Sequence, residues 1–455
     1  MITSPNFAGK KYAVLGLARS GLAAAEALIA SGAQVTAWDR QDVAREKLNG
    51  QAQIADPLEI DLTGFAGVVV SPGVPLNTHP IAEYAARYDV PIIGDIELFA
   101  QARGDLPPHS VIGITGTNGK STTTALLHHI CRSAGMPSLM GGNIGVPIMA
   151  QDALADGGVY VLELSSYQID LTRSLDCEIA MLLNITPDHL DRYDGFAGYA
   201  ASKLRLFAMQ SEGRNAIVDR LSFDRYGLAG QAAGDGSVFI IEDVATIGDP
   251  AEWPALQGPH NEQNAAAAIA AARALGMSDR AISAALETFT GLPHRMEVVC
   301  TTDGVIFVND SKATNPASAA PALAAYSADP QSRVHWIVGG LAKEDGLGEC
   351  AEQLGNVKAA YTIGEAGPRF AELLEGRVPV RKCELMCEAV RNAVDAATPD
   401  DVILLSPACA SFDQFRDYEA RGDAFRNVVA ALTGCTTCGD HGADTVTMTV
   451  TGAKA

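Results

Sequence analysis

Short apolar runs recur along the chain, each turning through a glycine-rich or polar loop into a stretch of helical spacing. Residues 12–15 read as a buried strand, 16–21 as a turn, 23–30 as a helix and 34–38 as a second strand ending at Asp39. Further strand-to-loop steps fall at 67–71 and 92–98, the latter closing this segment. GDLPPHS (104–110) carries two prolines and little apolar periodicity, as a linker does. A second segment opens with the run at 111–114 and continues to 299. A third opens at 305–308 and passes through HWIVGG (335–340) and AAYTIG (359–364) to VILLSPACASFDQF (402–415). Strands alternating with helices predict an α/β protein of three domains, 1–103, 104–299 and 300–433. After residue 432 the composition turns polar and rich in glycine and threonine, so 434–455 is expected to be a flexible tail.

Composition narrows this picture. The length of 455 residues suits several domains, and 47% hydrophobic with only 6% aromatic residues describes a core of Ala, Val, Leu and Ile. The start has no apolar signal region, and the Ala-rich run near 265 is broken by Arg273, so a soluble cytoplasmic protein without membrane insertion is expected. The nine cysteines are irregularly spaced and odd in number, unlike a secreted disulfide framework. Cys435, Cys438 and His441 have the spacing of half a metal site, but no second half follows, and a loose tail is the plainer reading. A net charge of −21 argues against a nucleic-acid partner. It leaves room for a small phosphorylated substrate, because a few cations, backbone amides and bound Mg2+ can reverse the potential within one cleft.

The strongest chemical signal is GITGTNGKST (113–122). A buried strand leads into Gly116 and Gly119, then Lys120 and Ser121, then an apolar helix. Amides at a helix N-terminus cradle phosphates, a following lysine reaches the β- and γ-phosphates, and a serine hydroxyl can ligate Mg2+. The glycine spacing departs from the full P-loop pattern, so the strand–loop–helix context carries the reading. In YVLELSSYQID, Glu163 ends an apolar strand, where ligands bind in an open α/β sheet. MLLNITPDHLDRY crowds Asp188, His189 and Asp191 into another strand-end loop. Asn261 and Asn264 precede a long Ala-rich helix, with Asn261 placed either to cap it or to reach a nucleotide base. His294 and Arg295 stand where the second segment gives way to the third, and FVNDSKATNP puts Asp310, Lys312 and Thr314 on a strand-end loop. The first segment has Gly16, Ala18 and Gly21 in place of a full dinucleotide fingerprint, which leaves the nucleotide type open.

Taken together, GTNGKST, LELSSYQ, NITPDHLDRY, the downstream ASK of Lys203, HNEQN, GLPHRME and NDSKATN resemble the Mur ligase family, which is related to folylpolyglutamate synthase. They occur in the family's order and span residues 10–432. GLPHR, NDSKATNP and SPACASFDQF are similar to the D-glutamate-adding branch. SPGVPLNTHP and GDIELF also fit a UDP-binding module, so the resemblance points the first domain toward UDP rather than NAD. The implied architecture is a Rossmann-like UDP-binding domain, a central P-loop ATPase-like domain with a mostly parallel sheet, and a Rossmann-like third domain.

The resemblance implies an ATP-dependent ligase that joins D-Glu to UDP-MurNAc-L-Ala through an acyl phosphate, with two Mg2+ sites and a monomeric state. It assigns Lys120, Glu163, His189 and Lys203 to catalysis, with Ser121, Glu163, His189 and a carbamylated Lys203 as metal ligands. ATP would meet Gly116, Thr117, Asn118, Gly119, Lys120, Ser121, Thr122, Asn264, Arg295, Asp310 and Lys312. Ser20, Asp39, Arg40, Ser71, Gly73 and Asn143 would meet the UDP-sugar; Thr314, Lys343, Ser411 and Phe412 would receive D-Glu. Two features depart from the pattern: the loop GGLAKEDG around Lys343 and the tail after 434. The rival readings are a sister amide ligase with another amino acid, a P-loop nucleotide switch, and, on the weak GLARSG turn alone, a dehydrogenase.

Overall fold

The structure, a computed structural model, describes residues 1–188, 192–227, 236–253, 255–256, 258–328, 331–343 and 345–435. Two compact units divide at Phe289/Thr290. The first holds two parallel sheets. In one, strands β1 (Lys11–Leu15), β2 (Gln34–Trp38), β3 (Gln53–Ile54), β4 (Phe65–Val70) and β5 (Ile92–Ile93) lie in the order 3-2-1-4-5. In the other, β6 (His109–Thr115), β7 (Ser138–Gly142), β8 (Gly158–Glu163), β9 (Ile179–Leu182), β10 (Asn215–Val218) and β11 (Val238–Ile240) lie in the order 11-10-9-6-8-7. Every residue of β8 is buried, and so is every residue of β9, as expected of strands covered on both faces. In each sheet the order reverses beside its first strand, so the loops leaving β1 and β6 open at switch points where ligands gather.

These two sheets share one hydrophobic core that runs from Phe7, Val14 and Phe99 to Tyr160, Leu162 and Leu206. A buried carboxylate reinforces the junction. Glu97, on the helix Asp95–Ala102, accepts hydrogen bonds from the amides of Arg173 (2.7 Å) and Ser174 (3.0 Å) and from the Ser174 hydroxyl (2.8 Å). The amide of Gly94 donates to the Leu171 carbonyl nearby at 3.0 Å. Glu97→Ala strips these donors of their charged acceptor and is expected to lower stability by about 1–3 kcal/mol. The midpoint of the first unfolding transition in urea measures it, with Glu97→Gln falling between the two.

The second unit carries β12 (Glu297–Thr302), β13 (Val305–Asn309), β14 (Val334–Gly339), β15 (Val357–Ile363), β16 (Val380–Glu384) and β17 (Val402–Leu405), in the order 12-13-17-14-15-16. Only β12 is antiparallel, joined to β13 by a hairpin whose central residues Asp303 (φ 51°) and Gly304 (φ 76°) are left-handed. That pairing draws the segment before residue 300 into the third sheet, so the unit begins at Thr290 rather than at the expected 300.

Two other expectations are corrected. The step at 92–98 leads from strand to helix rather than to a loop: extended Gly94 ends β5, and Asp95 and Glu97 open a helix whose N-terminus favours acidic side chains. Asn261 is not a helix cap, because Gly258 is the N-cap and Pro259 the first residue of the helix Pro259–Ala274. Among the described residues, no helix is long and apolar enough to cross a membrane. Cys438 and His441, and all of the expected tail beyond Cys435, lie outside the described residues.

Candidate functional site

β6 delivers the chain into a loop that folds tightly over the start of the helix Lys120–Ser133. Gly119 is the N-cap with φ 83°, and a Cβ there would stand 2.2 Å from Asn264 Oδ1, so only glycine fits. The loop rests on the segment leaving β9. Thr117 N donates to Asn184 O (3.0 Å), Asn118 N donates to Asn184 Oδ1 (2.9 Å), and the Thr117 hydroxyl donates to Thr186 O (3.1 Å). These bonds fix the peptide groups whose remaining amides can meet an anion. Lys120 lies folded back, its Nζ donating to the carbonyls of Gly116 (3.0 Å) and Thr117 (2.8 Å). Ser121 is buried behind it, Thr122 is half-buried, and Asn264 accepts from the Thr123 hydroxyl at 3.3 Å.

Glu163 ends β8 alongside this loop, 2% exposed. Its Oε1 accepts from Asn143 Nδ2 at 2.9 Å, while its buried Oε2 has no hydrogen-bond partner among the described residues. A buried carboxylate oxygen without a donor is costly unless a cation or a bound group satisfies it. Lys203, on the helix Gly195–Ala208, is 1% exposed rather than solvated, and its Nζ donates to Gly116 O at 2.8 Å. Burial, and then the charge of Lys120, push its pKa down to about 7, against the pull of Asp188 and Asp170. The Tyr199 ring lies 4.7 Å from the same amine, and its hydroxyl pairs with that of Thr117 at 3.2 Å. The structure thus brings Lys120, Lys203 and the Gly116 carbonyl together. His189 and Asp191 lie outside the described residues.

Beside β1 and β4 a cavity of about 750 Å³ opens, lined by Gly16, Trp38, Asp39, Arg40, Gly73 and Thr78 among others. Asp39 accepts from Leu17 N (2.7 Å) and Gln41 N (2.9 Å), so it shapes the turn as well as facing the cavity. Of the other residues expected here, Ser71 donates its hydroxyl to Gly16 O at 2.9 Å beneath the cavity. Ser20 stands beside buried Asp95, and Asn143 is engaged with Glu163.

In the second unit, Asp310 is buried, accepting from the Ser406 hydroxyl (2.7 Å) and Met296 N (3.2 Å); burial raises its pKa to about 7. Arg295 has a buried Nε without a hydrogen-bond partner among the described residues, and Lys312 Nζ lies 5.4 Å from the Tyr418 ring centroid. Lys343 Nζ donates to Thr314 Oγ1 at 3.2 Å. Leu341 and Ala410 exchange backbone hydrogen bonds of 2.9 Å, which sets the Lys343 loop next to the one carrying buried Ser411 and exposed Phe412.

Arg421 links these loops from below. Fully buried, it donates to Ser311 Oγ (2.9 Å), Ser311 O (2.8 Å), Cys409 O (3.0 Å) and Ala410 O (3.3 Å). Sequence reading missed Arg421, Asn184 and Tyr199, whose partners are remote in the chain and leave no local pattern.

Comparison with known proteins sharpens this geometry. Residues 114–225 match the family model of the Mur ligase middle domain, and residues 294–409 that of the Mur ligase, glutamate ligase domain. The chain is 63% identical to the UDP-N-acetylmuramoylalanine–D-glutamate ligase of Novosphingobium aromaticivorans over 435 residues, covering 95% of this chain and 97% of that one. It is 58% identical to the like-named enzyme of Sphingopyxis alaskensis, covering 95% and 100%. In fold it is similar to the UDP-N-acetylmuramate–alanine ligase of Thermotoga maritima, with a TM-score of 0.57, 16% identity and coverage of 93% and 99%. A MurF ligase from the same organism, solved in complex with ADP, gives a TM-score of 0.57 at 15% identity, covering 94% and 98%.

Proposed function

The chain belongs to the UDP-N-acetylmuramoylalanine–D-glutamate ligases of the Mur ligase family, and from that premise we propose how its residues divide the work. The reaction is the ATP-dependent addition of D-glutamate to UDP-MurNAc-L-alanine in peptidoglycan precursor synthesis. A carboxylate resists attack by an amine until it carries a better leaving group. The γ-phosphoryl of ATP therefore passes to the L-alanine carboxylate, giving an acyl phosphate and ADP. The free amino group of D-Glu then adds to the carbonyl carbon. The C–O bond to phosphate breaks, inorganic phosphate leaves, and the nitrogen loses its surplus proton to give the amide.

The amides of the 116–122 loop hold the ATP phosphates, and Lys120 leaves its backbone acceptors to meet the charge on the transferred group. Asn264, Arg295, Asp310 and Lys312 complete the nucleotide's surroundings. The residues fit a divalent cation: the free buried oxygen of Glu163 is an acceptor awaiting a positive partner, with Ser121 at the start of the same helix as Lys120. His189 and a carbamylated Lys203 are the expected ligands of a second ion. Mg2+ bound there offsets phosphate charge.

Asp39, Arg40 and Gly73 receive the UDP end in the cavity they line, with Ser20, Ser71 and Asn143 toward the sugar. The Lys343–Thr314 pair and Ser411, with Phe412 beside them, take the two carboxylates of D-Glu. We read the protein as a cytoplasmic monomer.

The observation that carries the reading is the phosphate loop set against two buried groups, the unpartnered Glu163 oxygen and the Lys203 amine on Gly116 O. Phosphate release from ATP with UDP-MurNAc-L-Ala tests it. Release is expected with D-Glu and to fall by about a hundredfold or more with L-Glu, L-Ala or meso-diaminopimelate. Equal turnover of any of these would overturn the D-Glu assignment.

A further inference from the structure

Two non-glycine residues with left-handed backbone flank Arg295: His294 at φ 63° and Met296 at φ 45°. Such conformations are unfavourable for residues with side chains and persist only where surroundings over-determine them. Here they do, on both sides of Arg295. Glu297 Oε2 accepts from His294 N at 2.8 Å and from Asn309 Nδ2 at 3.1 Å. Asn309 Nδ2 also lies 3.1 Å from His294 Nδ1. His294 O accepts from Lys312 N at 2.9 Å, and Met296 N donates to Asp310 Oδ1 at 3.2 Å. The His294 ring fits only because residue 422 is glycine: a Cβ there would stand 2.1 Å from His294 Nδ1.

Glu297 is the centre of this clamp. It is buried, and its second oxygen is held by Arg426 Nε (2.9 Å) and Nη2 (2.5 Å), which leaves the carboxylate no freedom to turn away. The arginine thus presented keeps a buried Nε without a partner among the described residues, as a guanidinium awaiting an anion does. From this geometry we propose that Glu297 is a positioning residue, which holds the His294–Met296 turn in its strained form so that Arg295 meets the nucleotide phosphates. The proposal rests on Arg295 contacting ATP, and a change of about 1 Å in such a contact is enough to cost about a hundredfold.

The test uses the full-length enzyme and steady-state kinetics for all three substrates. Glu297→Ala is expected to lower kcat/KM for ATP by about tenfold or more, with KM for D-Glu and the UDP-sugar changed by less than about twofold. Glu297→Gln, which keeps an acceptor for His294 N, is expected to retain most of the activity. If the alanine variant does not fold, Glu297→Asp carries the test: it keeps a carboxylate for Arg426 but draws the acceptor back from His294 N, and is expected to lower kcat/KM for ATP by about fivefold or more. In an Arg295→Ala background, either change at 297 should cost nothing further, because Glu297 acts through Arg295. Undiminished effects in that background, or equal changes in all three KM values, would make Glu297 merely structural and overturn the proposal. If Arg295→Ala alone leaves kcat/KM for ATP intact, the ATP contact itself is wrong, and the proposal falls with it.

Discussion

Glu163→Gln is expected to slow amide formation by about a thousandfold or more while leaving the enzyme folded. The wild-type side chain sits at the end of a fully buried strand, with Oε1 tied to Asn143 and Oε2 open. Glutamine has the same shape and can keep its oxygen toward Asn143. Its NH2 group then takes the place of Oε2, and two donors stand where an acceptor for a cation is needed. Packing is unchanged, so the melting temperature should move little, and the loss should appear in kcat for phosphate release. Activity within about tenfold of wild type would remove Glu163 from the catalytic set.

Lys203→Ala is expected to be nearly as damaging, by about a thousandfold, and to be partly rescued by short carboxylic acids such as acetate or propionate. An exposed lysine at neutral pH is charged in all but fewer than about one molecule in a thousand. Burial against Lys120 brings Lys203 to about 7, so a large fraction of the amine is neutral and nucleophilic. Attack of that neutral amine on CO2 forms an N–C bond as a C–O π bond opens, releases one proton and leaves an anion where the neutral amine stood.

Wild-type enzyme in CO2-stripped buffer should therefore lose activity and regain it on adding bicarbonate, faster at pH 8 than at pH 6. The uncarbamylated amine also leaves a mark on stability. Its folded pKa lies below its unfolded value of 10.5, so the unfolded chain binds more protons between about 7 and 10.5. Its cost to stability is full below pH 7 and lifts as pH rises through that window. Full activity in Lys203→Ala, or rescue by chloride as effective as rescue by acetate, would remove the carbamate from the mechanism.

Much of this was legible before the structure, and the reasons differ by element. The strand–loop–helix step at 113–122 was readable because strand, glycines, lysine and helix are contiguous in sequence. Glu163 was readable because a carboxylate closing an apolar run is costly to bury unless it binds something. Lys203 left no signal beyond the family resemblance, since the burial that defines it comes from Tyr199, Gly116 and the packing of its helix. Arg421 left no signal at all: its acceptors are the Ser311 hydroxyl and backbone carbonyls on two distant loops, which no local pattern encodes. The start of the third sheet was readable in principle. Thr302-Asp303-Gly304-Val305 is a two-residue hairpin signal between apolar runs, and it ties β12 to β13 rather than to the segment before it.

The junction sealed by Glu97 bears on ligand design. The cavity beside Asp39 and the loop at Gly119 belong to one compact unit with a continuous core, so the two pockets share a scaffold. A single molecule carrying a uridine-like group at one end and a phosphate mimic at the other would anchor both halves on that scaffold. Once the first half is bound, the second binds at an effective concentration fixed by the linker alone. A stiff linker of matching span would then gain more affinity than a longer, looser one, because less of its own freedom is lost on binding.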